Sequence, residues 1–221
     1  MKKLRHALLA ALSISSVCGP AGAAGVQDLM RDTQRMTTAD GQLTMVSWFP
    51  QQFWDESMKA AAAVPLQMRE RMVAAMSDYA VFAVARAKLG AAGISDAQPK
   101  SALLANMKVR FNGKDIQPLD PETISPVAQS LLAAMKPGLA STAGPVGQAM
   151  ELVVFPAKAD GKLLIDAAQA GLLQITLYDQ SYQWRLPLGS VLPARKDSRT
   201  GEEFPGNFQF NPYTGEKLAT P

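Results

Sequence analysis

The chain predicts an α+β fold: an antiparallel sheet with helices packed on one face, followed by a small C-terminal ribbon-like hairpin tail. Three observations carry this. Hairpin signals join strand-like runs at Asn112-Gly113 and around Asp179-Gln180. Asn-Gly suits a type I′ turn because both of its central positions need positive φ. Amphipathic stretches with helical spacing, such as Phe53, Trp54, Met58, Ala61 and Ala62, lie between the strands. No strand–helix–strand alternation runs through the chain, so a parallel sheet is not expected.

The N-terminus reads as a secretory signal peptide over residues 1–24. Lys2, Lys3 and Arg5 form a positive start, and Ala7 to Val17 is an apolar run. That run is too short to cross a bilayer as a helix. Ala21-Gly22-Ala23 supplies a small-x-small cleavage site. The expectation is an exported protein, periplasmic or secreted, with no integral membrane segment after cleavage. The α+β domain is expected over 25–192 and the tail over 193–221.

Residues 25–40 form a polar lead-in with a weak apolar face, compatible with a short helix, and Asp40-Gly41 signals a turn. Leu43 to Phe49 is rich in β-branched and aromatic residues and reads as a strand. Pro50 suits a helix start, because its missing N–H costs nothing there, and a helix is expected over 51–63. Pro65 opens a second helix to about Ser77, striped by Met68, Met72 and Met76. That stripe is core spacing first and a thioether copper site only as a remote alternative. Tyr79 to Leu89 fits either a continued helix or a buried strand. Ser77-Asp78 interrupt the helix, which favours the strand.

Residues 90–101 read as a loop, and 107–111 and 115–119 as a hairpin about Asn112-Gly113. Asp120-Pro121 and Ser125-Pro126 are cap-then-proline helix starts. Val127, Leu131, Leu132 and Met135 share a helix face, and Pro137 is the expected stop. The small-residue stretch 138–147 has room for another short helix. Strands follow over 150–155, 172–178 and 182–188. In the last of these Tyr182, Trp184, Leu186 and Leu188 share a face.

Composition closes off several chemistries. Without residues 1–24 the chain keeps 19 Lys plus Arg against 19 Asp plus Glu, so its basic pI comes from the leader. A balanced chain lacks the cationic surplus that nucleic-acid binding needs. The single His and the single Cys, His6 and Cys18, also belong to the leader. A chain without them has no Ser-His-Asp triad, no cysteine nucleophile and no His or Cys metal ligand. Carboxylates remain, but Asp55 and Glu56 point to different sides of one helix, and Glu151, Asp166 and Asp179 cannot be paired from sequence.

Two stretches stand out as candidate sites. Trp48, Phe49, Phe53 and Trp54 crowd a strand-to-helix corner and could contact a partner or ligand, with core packing as the competing reading. In the tail, Asp197-x-x-Thr200-Gly201-Glu202 recurs as Asn211-x-x-Thr214-Gly215-Glu216. The spacing of Asp197, Thr200, Asn211 and Thr214, each pair closed by a glycine, resembles a zinc ribbon. There, paired cysteines come from tight glycine-closed knuckles. Asn211-Pro212-Tyr213-Thr214-Gly215 keeps the proline and glycine of such a knuckle. All four cysteines are replaced, so the resemblance implies a degenerate, cysteine-less ribbon that binds no zinc. Its knuckles would be held instead by Asp, Asn and Thr side chains bonding the backbone nearby. A weak Ca²⁺ site on the tail's oxygen donors is the alternative.

The functional expectation is a non-catalytic adaptor or structural protein that binds a partner protein in the bacterial envelope, with no cofactor. One alternative is a carrier of a small apolar ligand or lipid in a Met- and aromatic-lined pocket. A second is a carboxylate-based hydrolase.

Overall fold

The computed structural model describes residues 21–219, and the backbone alone for 21–24. Residues 1–20 of the expected leader lie outside the described residues. Among the described residues, no helix is long and apolar enough to cross a membrane. The fold is α+β, with antiparallel pairing throughout its sheets.

Helix α1 (Ala21–Thr33) runs directly into β1 (Gln34–Ala39), which turns at Asp40-Gly41 into β2 (Gln42–Phe49). Helices α2 (Gln51–Ala60) and α3 (Leu66–Met76) follow, each preceded by a proline at its N-cap. Strand β3 (Tyr79–Gly90) pairs with β2 along one edge. Its other edge is shared by β7 (Glu151–Pro156) at one end and β4 (Gly93–Ser95) at the other. These five strands make the first sheet.

A second, four-stranded sheet has the order β11 (Gln180–Leu186), β10 (Gly171–Leu177), β5 (Met107–Phe111) and β6 (Lys114–Ile116). A sequence reading with one sheet did not anticipate it. The second sheet stacks on the face of the first that the helices leave open, which gives three layers. Alternation along the strands sorts the side chains. Leu43, Met45, Val81, Ala83, Leu152 and Val154 join the helices in one core. Val46, Trp48, Phe82, Val84, Val153 and Phe155 pack against Val109, Leu173, Ile175 and Trp184 in the other. The central strand β3 is therefore buried on both faces. That is why Tyr79–Leu89 lacks a clean apolar–polar alternation and leaves a helix open as the second reading, while the interruption at Ser77-Asp78 favours the strand that forms.

Four local expectations are corrected. Gln34–Ala39 is a strand rather than part of a lead-in; it is an edge strand, polar because one side of it needs no apolar cover. The loop expected over 90–101 contains β4 and the start of α4 (Lys100–Ala105), whose Leu103 is fully buried. The hairpin turn sits at Tyr178-Asp179, with Leu177 opposite Gln180, one residue earlier than expected. Helix α5 (Pro126–Ala149) does not stop at Pro137. A mid-helix proline costs about 3 kcal/mol. The face of Leu131, Leu132, Met135 and Gly138, all buried, continues across it, and packing outweighs that cost.

The real break in α5 is Gly144, at φ 55° and ψ −135°, a conformation open to glycine alone. The chain then folds back so closely that a Cβ on Gly147 would overlap the backbone carbonyl of Leu139. Backbone cannot move aside as a flexible side chain can. Gly147→Ala is expected to destabilise by about 1–3 kcal/mol, the usual cost of overpacking. Urea unfolding checks it; an unchanged midpoint would mean that the Gly144 bend opens freely.

Candidate functional site

The tail carries the most organised polar cluster in the chain. Strands β12 (Arg195–Lys196) and β13 (Glu203–Phe204) flank the first doubled turn. Asp197 Oδ1 accepts from the N–H groups of Arg199 at 2.9 Å and Thr200 at 3.0 Å. The Asp197 carbonyl accepts from Gly201 N–H at 2.8 Å, and Asp197 N–H donates to the Glu202 carbonyl at 2.9 Å. Thr200 Oγ1 accepts from Glu202 N–H at 3.2 Å.

The second turn repeats every bond. Asn211 Oδ1 accepts from Tyr213 N–H at 2.8 Å and Thr214 N–H at 3.3 Å. The Asn211 carbonyl accepts from Gly215 N–H, and Asn211 N–H donates to the Glu216 carbonyl, each at 2.8 Å. Thr214 Oγ1 accepts from Glu216 N–H at 3.3 Å. Gly201 and Gly215 both sit at φ 74°, where a side chain would strain the backbone. Seen this way the repeat has a physical cause: each copy is one self-bonded turn that returns the chain antiparallel.

The two turns are joined to each other. Asn211 Nδ2 donates to Asp197 Oδ2 at 2.7 Å, between residues only 2% and 3% exposed. The Asp/Asn difference between the copies matters here. Two carboxylates would repel, whereas an amide can donate to one. Donors from Thr200, Asn211 and Arg199 together hold the Asp197 carboxyl down at about 2. With both Asp197 oxygens engaged by N–H donors, the pair is an internal hydrogen-bonded crosslink. Among the described residues, no group of three or more His, Cys, Asp or Glu is placed to hold a metal.

The tail is anchored on the turn of 3₁₀-helix at Gly189–Val191. Gly206 N–H donates to the Gly189 carbonyl at 3.2 Å, and Arg195 Nε donates to the Gly206 carbonyl at 3.0 Å. A Cβ on Gly206 would meet the Pro193 carbonyl at 2.5 Å, so the close approach needs glycine. Phe204 and Leu218 are the buried apolar side chains of the tail itself. Phe208, Phe210 and Tyr213 are 38%, 54% and 81% exposed. Lys196 pairs with Glu203 and Arg199 with Glu216 on the exposed surface of the tail.

The aromatic corner is placed differently. Trp48 and Phe49 are each 1% exposed, and Phe53 and Trp54 are also buried. As neighbours on β2, Trp48 enters the core between the sheets and Phe49 the core under the helices. Phe49, Phe53 and Trp54 pack ring on ring, with centroids 4.6 to 6.1 Å apart. None of the four offers a surface to a partner. Beside them a cavity of ≈ 20 Å³ is lined by Phe53, Trp54, Met58, Met72, Met76 and Leu131. That is room for about one water, against roughly 300 Å³ or more for a ligand pocket. Met72 and Met76 of the helical stripe are core residues.

Sequence reading missed a polar notch at the open end of the sandwich. Arg86 lies 4.4 Å from the centroid of the Tyr178 ring and pairs with Asp179 at 2.8 Å. Thr37, Asp40, Gln42, Thr44 and Gln180 line a ≈ 50 Å³ hollow beside it. The only sequence signal was an arginine inside the apolar run of β3. Arg86 follows Phe82 and Val84 on the face between the sheets, and it caps that core where the second sheet ends. Arg86 lowers the Asp179 carboxyl below its ordinary value. The other carboxylates that sequence left unpaired are engaged separately: Glu151 by Lys136 at 2.8 Å, and Asp166 by the Ala168 N–H at 2.9 Å.

Fold and site together define a three-layer α+β protein with a hydrogen-bonded double-turn tail. No protein-family model, curated protein or solved structure matches the chain.

Proposed function

We propose that this chain is an exported, non-catalytic partner-binding protein of the bacterial envelope, and that its tail is the docking element. The observation that supports this best is the contrast between its two aromatic groups. Trp48, Phe49, Phe53 and Trp54 are spent on the core, while Phe208, Phe210 and Tyr213 stand in solvent on a segment cross-linked by Asn211 and Asp197. Exposed aromatic side chains on a rigid element suit protein recognition, because they bury much area for little lost freedom. In this reading the tail is a degenerate ribbon in which an amide–carboxylate bond stands in for the metal. Export rests on the charged start, the short apolar run and the small-residue cleavage site of residues 1–24.

The test is affinity capture from envelope extract with three baits: the full chain, a chain ending at Leu192, and the full chain carrying Phe208→Ser, Phe210→Ser and Tyr213→Ser. The expected result is one protein held by the first bait and lost from both others. A protein held equally by all three would move docking off the tail. A co-purifying lipid or metabolite without protein would favour a carrier.

A further inference from the structure

The first sheet ends in an edge that no described element covers. Of the other edges of the two sheets, all but β11 are short or met by another segment. β4 and the second sheet's β6 are three residues each. The free side of β7 is met by Leu119, whose N–H donates to the Val154 carbonyl at 2.9 Å. β1 is six residues long and pairs with β2 in unbroken register. It has no proline and no bulge, and its one charge, Arg35, bonds the Gln34 carbonyl at one end and leaves the outward groups of Met36 and Thr38 without a partner among the described residues. At its centre Met36 is 61% exposed.

The hairpin geometry says which groups face outward. Asp40 and Gly41 sit at φ 50° and 70°, a type I′ pattern, and Ala39 opposes Gln42 across the turn. In such a two-residue hairpin the closing pair is hydrogen-bonded, so Ala39, Thr37 and Arg35 bond to β2. Gln34, Met36 and Thr38 then direct their N–H and C=O groups away from the sheet. The outward Gln34 carbonyl accepts from the Arg35 guanidinium at 2.8 Å, as this requires.

We infer that the occupant of this edge is a second copy of the chain, paired β1 to β1 about a two-fold axis through Met36. A two-fold axis normal to the sheet keeps each face on its own side, so even residues must oppose even residues. With Met36 opposite Met36 of the second copy, Gln34 meets Thr38 and Arg35 meets Thr37. Every outward N–H and C=O of the three even residues then has a partner. No like charges oppose one another, because Arg35 is the strand's one charge and lies 5.3 Å from the Trp184 ring centroid of its own chain. The exposed Met36 side chains cover each other. The other long edge, β11, fits less well: its exposed residues are Ser181, Gln183 and Arg185, with no apolar side chain to bury.

The test uses the full chain carrying Cys18→Ser, so that any introduced thiol is alone. Residues directly opposite in a hydrogen-bonded antiparallel pair have Cα atoms about 5.5 Å apart, within the roughly 4.4–6.8 Å that a disulfide spans. Met36→Cys is therefore expected to oxidise to a covalent dimer. Thr38→Cys is not, because that residue lies about 14 Å from its own copy in this register. Sedimentation of the cysteine-free chain is expected to show the mass doubling as concentration rises, and Met36→Lys to return it to monomer. A monomer at every concentration overturns the inference. So does a dimer in which Met36→Cys cross-links no faster than Thr38→Cys.

Discussion

Trp48→Ala is expected to lower stability by about 3–5 kcal/mol, as truncation of a large buried aromatic does. Trp48 is 1% exposed and sits opposite Phe82 on β3, in the core between the two sheets. Both walls of that core are strands tied by hydrogen bonds to their neighbours, so they cannot collapse into the space left behind. In urea the midpoint should fall while the slope stays the same, since the folded and unfolded states keep their compactness. A variant that unfolds at the native midpoint but fails to hold a partner would instead make Trp48 a contact residue. The result thus separates the two readings that the aromatic corner leaves open in sequence.

Asn211→Ala is expected to release the tail while the three-layer body stays folded. The substitution removes three bonds together: the amide donated to Asp197 and the two N–H groups accepted from Tyr213 and Thr214. Asp197 is then left buried without its amide donor, the costly half of breaking such a pair. Amide hydrogen exchange resolves this better than global unfolding, because a small segment can open by itself. Protection at Gly201, Gly215 and Leu218 should fall roughly tenfold or more, with β3 and β10 unchanged. Equal loss across the sheets would show that the tail and the body unfold as one unit.

The same carboxylate makes the tail acid-sensitive. Asp197 is held at about 2 against an ordinary 3.8. A depressed carboxylate stabilises the fold fully above its ordinary value, and that contribution is lost as pH falls toward the lowered one. Tail protection should therefore hold down to about pH 4 and fade between there and about pH 2. In Asn211→Ala the fade should still begin near pH 4, but it should be smaller and end at a higher pH, because one of the donors that lowers Asp197 is gone. A profile unchanged by the substitution would remove Asn211 from that role.

Much of the local architecture was legible. Asn112-Gly113 and Asp40-Gly41 turn the chain where their positive φ allows it, and Asp160-Gly161, not read from sequence, does the same between Lys158–Ala159 and Lys162–Leu163. The prolines at 50 and 65 each precede a helix. The doubled turn could be read because Asp, Asn, Thr and Gly bond or bend their own backbone within a few residues. Polar β1 was not legible, since an edge strand makes its case through one neighbour only. Nor was α5 beyond Pro137, where contacts with distant strands override a local stop.

Side-chain chemistry acting within a few residues was enough for the turns at Asp40-Gly41 and Asn112-Gly113, the helix starts after Pro50 and Pro65, the alternation of β5 and β11 and the exclusion of thiol and imidazole chemistry from residues 25–221. Long-range packing settled the rest. Whether Trp48 meets solvent or core depends on a second sheet drawn from residues more than fifty positions away. The amide of Asn211 finds Asp197, 14 residues away in the chain, only because the segment after the second turn comes back to pair with the first, Ala219 against Lys196. Alternation along a strand sets which residues share a face, but what covers that face is decided by the elements that arrive from elsewhere.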